Sequence, residues 1–209
     1  MQLARISLLL IALVLQVSCG RHQEPERLVP PKIDAAAAGR EAVQQYDQNG
    51  DGAIAGEELD AAPALRAAFM NLDRNQDGRA TADEITARIE QWQARRIAIS
   101  TLGCRVLLDG QPLEGAAIRL EPAPFLGPHV KPAAGVTDAN GVARPTIAEA
   151  DRPAPDIIGV HCGFYRIRIS KMQNGQELLP DRYHSDTILG AEINAEAMEN
   201  GLRFDLTSQ

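Results

Sequence analysis

Two short stretches of this 209-residue chain gather oxygen donors at fixed spacing. In residues 47–58 (loop 1), Asp47, Asn49 and Asp51 hold the first, third and fifth places, with Gly52 at the sixth, Ala53 at the seventh and Glu58 at the twelfth. In residues 73–84 (loop 2), the same places hold Asp73, Asn75, Asp77, Gly78, Arg79 and Glu84. Carboxylate and amide oxygens are hard donors, and this spacing suits a hard cation, calcium above all. As the loop winds, its first, third and fifth side chains converge. The seventh place offers a main-chain carbonyl, so Ala53 and Arg79 serve there whatever their side chains. The sixth needs positive φ, which glycine reaches without strain. A twelfth-place glutamate can bind through both oxygens. Ala55 at the ninth place of loop 1 has no donor, which leaves that place to water, whereas Thr81 in loop 2 can reach the ion or orient a water. The expectation is two Ca2+ ions, one per loop. Each loop crowds three carboxylates, and calcium would relieve that repulsion and order the flanking helices. Arg74 and Arg79 offset the charge of loop 2 and loop 1 has no basic residue, so loop 1 is expected to bind tighter.

Residues 33–96 carry the elements that must position these loops. Alanine is abundant and apolar residues recur at helical spacing. Val43 and Tyr46 precede loop 1 at the offsets at which Phe69 and Leu72 precede loop 2, while Ile85, Ile89 and Trp92 form one face after loop 2. Pro63 is expected to end the helix leaving loop 1 and to begin the helix entering loop 2. Thr81 and Glu84 have the spacing of a capping box. Ile54 at the eighth place of loop 1 would pair with its counterpart in loop 2, where Ala80 weakens the bridge. This repeat of helix, acidic loop and helix resembles the EF-hand family over residues 33–96. The close spacing of the loops, Pro63, and Met70 as the lone methionine of this region point to a fixed structural pair rather than a signalling switch.

Residues 97–209 change character. Period-two runs lie between turn signals, as in Cys104-Arg105-Val106-Leu107-Leu108 before Asp109-Gly110, Phe164-Tyr165-Arg166-Ile167-Arg168-Ile169, and Leu202-Arg203-Phe204-Asp205-Leu206. The stretches around Asp109-Gly110 and Asp138-Ala139-Asn140-Gly141, with the run from Gly163, resemble carboxypeptidase-regulatory-like, transthyretin-like β-sandwiches over residues 100–209. That resemblance implies a non-catalytic packing or adhesion module. Segments 122–132 and 149–156 exceed the minimal fold and read as proline-rich spacers, with binding as the alternative. The expected fold class is multidomain α + β, a small helical EF-hand pair (33–96) followed by an antiparallel β-sandwich (97–209).

The first nineteen residues have a different composition. Arg5, an apolar stretch over residues 6–17 and then Ser18-Cys19-Gly20 have the layout of an export signal. The stretch falls well short of the roughly 20 residues a membrane span needs. The region resembles a bacterial lipoprotein signal, which implies lipidation of Cys19 and an anchor in the cell membrane or outer membrane. Plain cleavage near Ser18–Gly20, with a periplasmic or secreted product, is the alternative. Residues 20–32 are polar and proline-containing, a linker. Cys104 and Cys162 remain, either as a disulfide suited to an oxidising compartment or as two buried thiols. A net charge of −7 speaks against nucleic acid.

No GxSxG, HExxH or glycine-rich phosphate loop is present. His184-Ser185-Asp186 has triad letters, but three consecutive side chains do not converge as a triad must. The chain therefore reads as a calcium-binding, membrane-tethered, non-enzymatic protein with a protein or polysaccharide partner. An accessory module whose sandwich binds carbohydrate or peptide is the alternative, and a hydrolytic enzyme the lesser one. An aromatic platform built from Phe125, Phe164, Tyr165, Tyr183 or Phe204 would favour the accessory module.

Overall fold

Asp34 opens the first helix by accepting a hydrogen bond from Ala37 N at 2.9 Å, which satisfies one of the free donors of the first turn. A computed structural model describes residues 28–209, so the signal-type segment, Cys19 and most of the linker lie outside the described residues. Helix α1 (Ala35–Tyr46) buries Ala35, Ala38, Gly39 and Ala42, a face of small residues. These let α4 (Ala82–Arg95) approach so closely that a Cβ on Gly39 would lie 2.3 Å from the Ala82 carbonyl oxygen. Between them come β1 (Ala53–Ala55), α2 (Glu58–Ala61), α3 (Pro63–Leu72) and β2 (Arg79–Thr81). Pro63 divides α2 from α3 where the sequence expects it to, at the first turn of the second piece, where its missing N–H costs nothing. Ile85, Ile89 and Trp92 are the buried face of α4, which ends as Arg96 turns left-handed.

Strands follow: β3 (Cys104–Leu108), β4 (Gln111–Pro112), β5 (Ala117–Pro122), β6 (Ala133–Val136), β7 (Val142–Ala143), β8 (Thr146–Ile147) and β9 (Gly163–Ser170). The chain closes with β10 (Met172–Gln173), β11 (Gln176–Glu177), β12 (Gly190–Ile193), α5 (Ala195–Asn200) and β13 (Leu202–Leu206). One sheet runs β12-β9-β5-β6-β8, all antiparallel. The other runs β13-β3-β4, with β7 also on β3. Its β13–β3 pair is parallel, which departs from the wholly antiparallel expectation. Neither sheet closes into a barrel. The fold is thus a mixture of helices and largely antiparallel sheets.

Register decides the faces of the larger sheet. Phe164 lies opposite Glu192 and Arg166 opposite Gly190 on one face. Tyr165, Ile167 and Ile169 alternate onto the other with Ile118 and Leu120, and all five are buried. The helices cover the first face, where the Trp92 ring meets Phe164 edge-on with centroids 4.5 Å apart. Arg166 is half-buried on that face, and Arg168 is half-buried by its pairing with Glu121 of β5 and its bonds to the carbonyls of His184 and Ser185. A single hydrophobic core continues from the helices through both sheets.

The 122–132 segment corrects its reading as a spacer. Phe125, Leu126 and Val130 in it are buried, and Phe125 contacts both Tyr46 at the end of α1 and Phe164 of β9. It is a wedge between helix and sheet. Among the described residues no helix is long and apolar enough to cross a membrane.

Candidate metal centre

Loop 1 is wound by its own side chains. Asp47 Oδ1 accepts from Gly50 N at 2.7 Å and from Asp51 N at 3.3 Å, and its Oδ2 accepts from Gly52 N at 2.8 Å. Asn49 Oδ1 accepts from Asp51 N, and Asp51 Oδ1 from Ala53 N. Glu58, itself buried, closes the turn by accepting from Gln48 N and Asn49 N at one oxygen and from Ala55 N at the other. The N–H of Gly52, helped by those of Gly50, Asp51 and Asn49, outweighs the cost of desolvation and holds the Asp47 carboxyl below the usual range.

Loop 2 repeats most of this pattern, without counterparts to the bonds that Gly50 N makes to Asp47 and Asn49 N makes to Glu58. Asp73 Oδ1 accepts from Asp77 N at 3.0 Å and its Oδ2 from Gly78 N at 2.8 Å. Asn75 Oδ1 accepts from Asp77 N, and Asp77 Oδ1 from Arg79 N. Glu84 accepts from Arg74 N at one oxygen and from Thr81 N at the other. The capping box forms, with Thr81 Oγ1 accepting from Glu84 N. Gly52 and Gly78 both have positive φ, at 85° and 81°. The fourth place turns left-handed as well, as Gly50 (75°) in loop 1 and Gln76 (60°) in loop 2. A second glycine after Asn49 was the available signal, and it appears in loop 1 alone.

The two loops are joined. Strands β1 and β2 pair antiparallel, with Ala53 opposite Thr81, Ile54 opposite Ala80 and Ala55 opposite Arg79. Ile54 and Ala80 are fully buried, so the bridge forms despite the small residue at position 80.

Register also carries Arg79 across. Its side chain is not needed at the seventh place, and its Nη2 lies 2.8 Å from Asp51 Oδ1 of loop 1. The same nitrogen donates to the Asp51 carbonyl at 3.3 Å. Loop 1 has no basic residue of its own, yet one arginine of loop 2 places its charge beside it, so the charge difference between the loops is smaller than their sequences imply.

The fit to a cation is uneven. Among the described residues, no group of three or more His, Cys, Asp or Glu side chains is gathered as a metal cage. Many of the loop oxygens instead accept backbone N–H groups. The donor set that the spacing suggests draws on Asn49, Asn75 and the carbonyls of Ala53 and Arg79 as well as on acids. The turns that would carry these donors are formed.

Cys104 and Cys162 are separate buried thiols rather than a disulfide. Cys104 lies in β3 of the smaller sheet, and Cys162 immediately precedes β9 of the larger. Burial pushes their pKa up to about 12 and about 11 respectively, the latter also raised by Glu192, so neither is a ready thiolate. Two of the described histidines serve main-chain carbonyls: His161 Nδ1 donates to Ala98 O at 2.9 Å, and His184 Nε2 to Leu179 O at 2.9 Å. Phe125, Phe164, Tyr165, Tyr183 and Phe204 are all buried, so they form no exposed platform.

One polar centre escaped sequence reasoning. Glu192 accepts from Asn71 of α3 and from Arg88 and Trp92 of α4, with its side chain 4% exposed. Between Ala191 and Ile193 in an alternating run it reads as an ordinary wet-face residue, and nothing local distinguishes it.

No family model matches the chain, and neither a curated protein nor a solved structure is similar to it.

Proposed function

We propose that this protein binds two calcium ions through EF-hand loops, one at Asp47, Asn49, Asp51, the Ala53 carbonyl and Glu58, the other at Asp73, Asn75, Asp77, the Arg79 carbonyl and Glu84. The observation that carries this reading is the repetition of the winding. Two separate loops use side chains of the same type at the same places to hold most of the same backbone amides, and they meet through their seventh to ninth residues. Calcium would supply positive charge among the loop carboxylates, and the residues themselves pre-form the turns and hold the two loops at a fixed distance.

The role is structural rather than switching. The apolar face that a sensor would offer to a target is occupied, since Trp92 packs on Phe164 and the helices share a core with the sheet. The two sheets are proposed to form a β-sandwich of the carboxypeptidase-regulatory-like kind, with Val106, Phe204 and Leu206 of the smaller sheet facing the apolar side of the larger. The protein is proposed to be non-enzymatic, exported and held at a membrane by lipid on Cys19, a reading that rests on the first twenty residues alone. Mass analysis of the mature N-terminus tests that part.

Thermal unfolding of residues 20–209 with calcium and with chelator tests the central claim. Calcium at a hundred times Kd is expected to stabilise the fold by about 2.7 kcal/mol per site. An unchanged midpoint would reduce the loops to solvated turns.

A further inference from the structure

We infer that Glu192, far away in the sequence on strand β12, is a positioning residue for the loop 2 cation site, and that it ties occupancy of that loop to the packing of the sheet. This rests on the calcium reading of the loops.

Three donors converge on the Glu192 carboxylate. Asn71 Nδ2 donates to Glu192 Oε2 at 2.8 Å, while Arg88 Nε and Trp92 Nε1 donate to Oε1 at 2.7 and 2.8 Å. Asn71 lies in α3, two residues before Asp73, the first ligand of loop 2. Arg88 and Trp92 lie in α4, which begins beside Glu84, the twelfth-place ligand. One buried carboxylate thus grips both helices that frame loop 2. None of these donors comes from α1 or α2, the helices framing loop 1.

A buried carboxylate gives up hydration and holds its place only while its hydrogen bonds are made. Moving α3 relative to α4 would break one bond or another and leave charge uncompensated in the interior. Two close approaches reinforce the grip: the Trp92 ring meets Phe164 of β9 edge-on, and the backbone at Gly190 leaves no room for a side chain beside the Pro63 carbonyl. The separation of α3 and α4 fixes the distance between Asp73 and Glu84, and so whether Glu84 can close on an ion held by Asp73, Asn75 and Asp77. A site whose ends are held in place does not spend binding energy on ordering them. Linkage makes the effect mutual, so an ion in loop 2 tightens the joint as much as the joint tightens the ion.

Calorimetric titration with calcium chloride, one loop at a time, tests this. In the Asp47→Ala background, where loop 2 is left, Glu192→Gln is expected to weaken binding roughly fivefold or more. In the Asp73→Ala background the same substitution is expected to leave loop 1 unchanged. A merely structural residue would weaken both loops alike, and that result overturns the inference, as does an unchanged loop 2. Trp92, the one tryptophan of the chain, gives a second readout. Its emission is expected to shift on calcium addition in the Asp47→Ala protein and to stay still once Glu192 is Gln; an equal shift in both counts against the joint. Where Glu192→Gln yields no folded protein, Arg88→Gln, which leaves the Asn71 and Trp92 donors in place, is held to the same outcomes. A wild-type protein that takes up no calcium overturns this inference and the functional reading together. Normal uptake with an unaltered loop 2 overturns this inference alone.

Discussion

At the scale of single residues, the charge on Arg79 is the finding with the clearest consequence. The guanidinium faces Asp51, a fifth-place oxygen donor of the opposite loop, and both groups are more than a third exposed. An exposed pair of this kind is worth about 0.2–1 kcal/mol, so Arg79→Gln is expected to raise the calcium affinity of loop 1 by up to about fivefold. Calorimetry in the Asp73→Ala background reads loop 1 by itself, and an affinity that stays level or falls would refute the competition. His161 makes the opposite kind of contribution, to stability alone. Burial lowers its pKa, with nearby Lys131 acting the same way, while the Ala98 carbonyl and Asp151 partly resist. The folded value therefore lies below the unfolded 6.5. Above that pH the ring is neutral in both states. As pH falls through 6.5 the unfolded chain takes the proton first, so stability is lost on acidification until the folded value is reached. Thermal midpoints measured in chelator from pH 7 downwards are expected to fall, and His161→Gln is expected to flatten the first part of that fall. A variant curve parallel to wild type would dismiss the histidine as the cause.

At the scale of elements, what could be read in advance was whatever is local. Ligand spacing lies within twelve residues, and helical faces repeat within seven, so the loops, the Pro63 break and the Ile85–Ile89–Trp92 face were all legible. The register between β1 and β2 was legible only as a possibility, because pairing depends on how two distant turns meet. Arg79 reaches Asp51 by that register and by nothing in its own neighbourhood. Glu192 and the wedge at Phe125 stayed hidden for the same reason: each owes its burial to a partner far off in sequence. The parallel pairing of β13 with β3 is likewise a matter of topology, since alternation says which residues face inward and is silent on strand direction. The β1–β2 link can be tested as an element. Ile54 is fully buried at its centre, and Ile54→Ala is expected to cost about 2–5 kcal/mol in the metal-free protein. It should also make the two loops bind calcium more independently than in wild type. Denaturant unfolding gives the first number and calorimetry the second; a loss below about 0.5 kcal/mol, the scale of a surface change, would show that the bridge carries little.

At the scale of the whole molecule, the helices and the sheets behave as one body because their shared surface is core rather than contact. Buried residues run without a gap from Ala38 and Ile85 through Phe164 to Ile169 and Leu206. Gly190 is the point where this surface is tightest. A Cβ built there would lie 1.9 Å from the Pro63 carbonyl oxygen and 2.3 Å from its carbon, both backbone atoms that cannot swing aside. Gly190→Ala must therefore lift α3 from β12, and with it the Asn71 bond to Glu192. Overpacking of this kind costs about 1–3 kcal/mol, and occasionally more. Gly103 provides the control, since a Cβ there meets nothing within 4 Å. Calorimetric unfolding of the wild-type protein is expected to give a single transition that calcium moves as a whole. Gly190→Ala is expected to broaden or split it, with the part that answers to calcium melting first, while Gly103→Ala stays close to wild type. If Gly190→Ala keeps one sharp transition at the wild-type midpoint, the helices and sheets are not coupled at this seam. A calcium site on the helices would then have no route through it to the rest of the molecule.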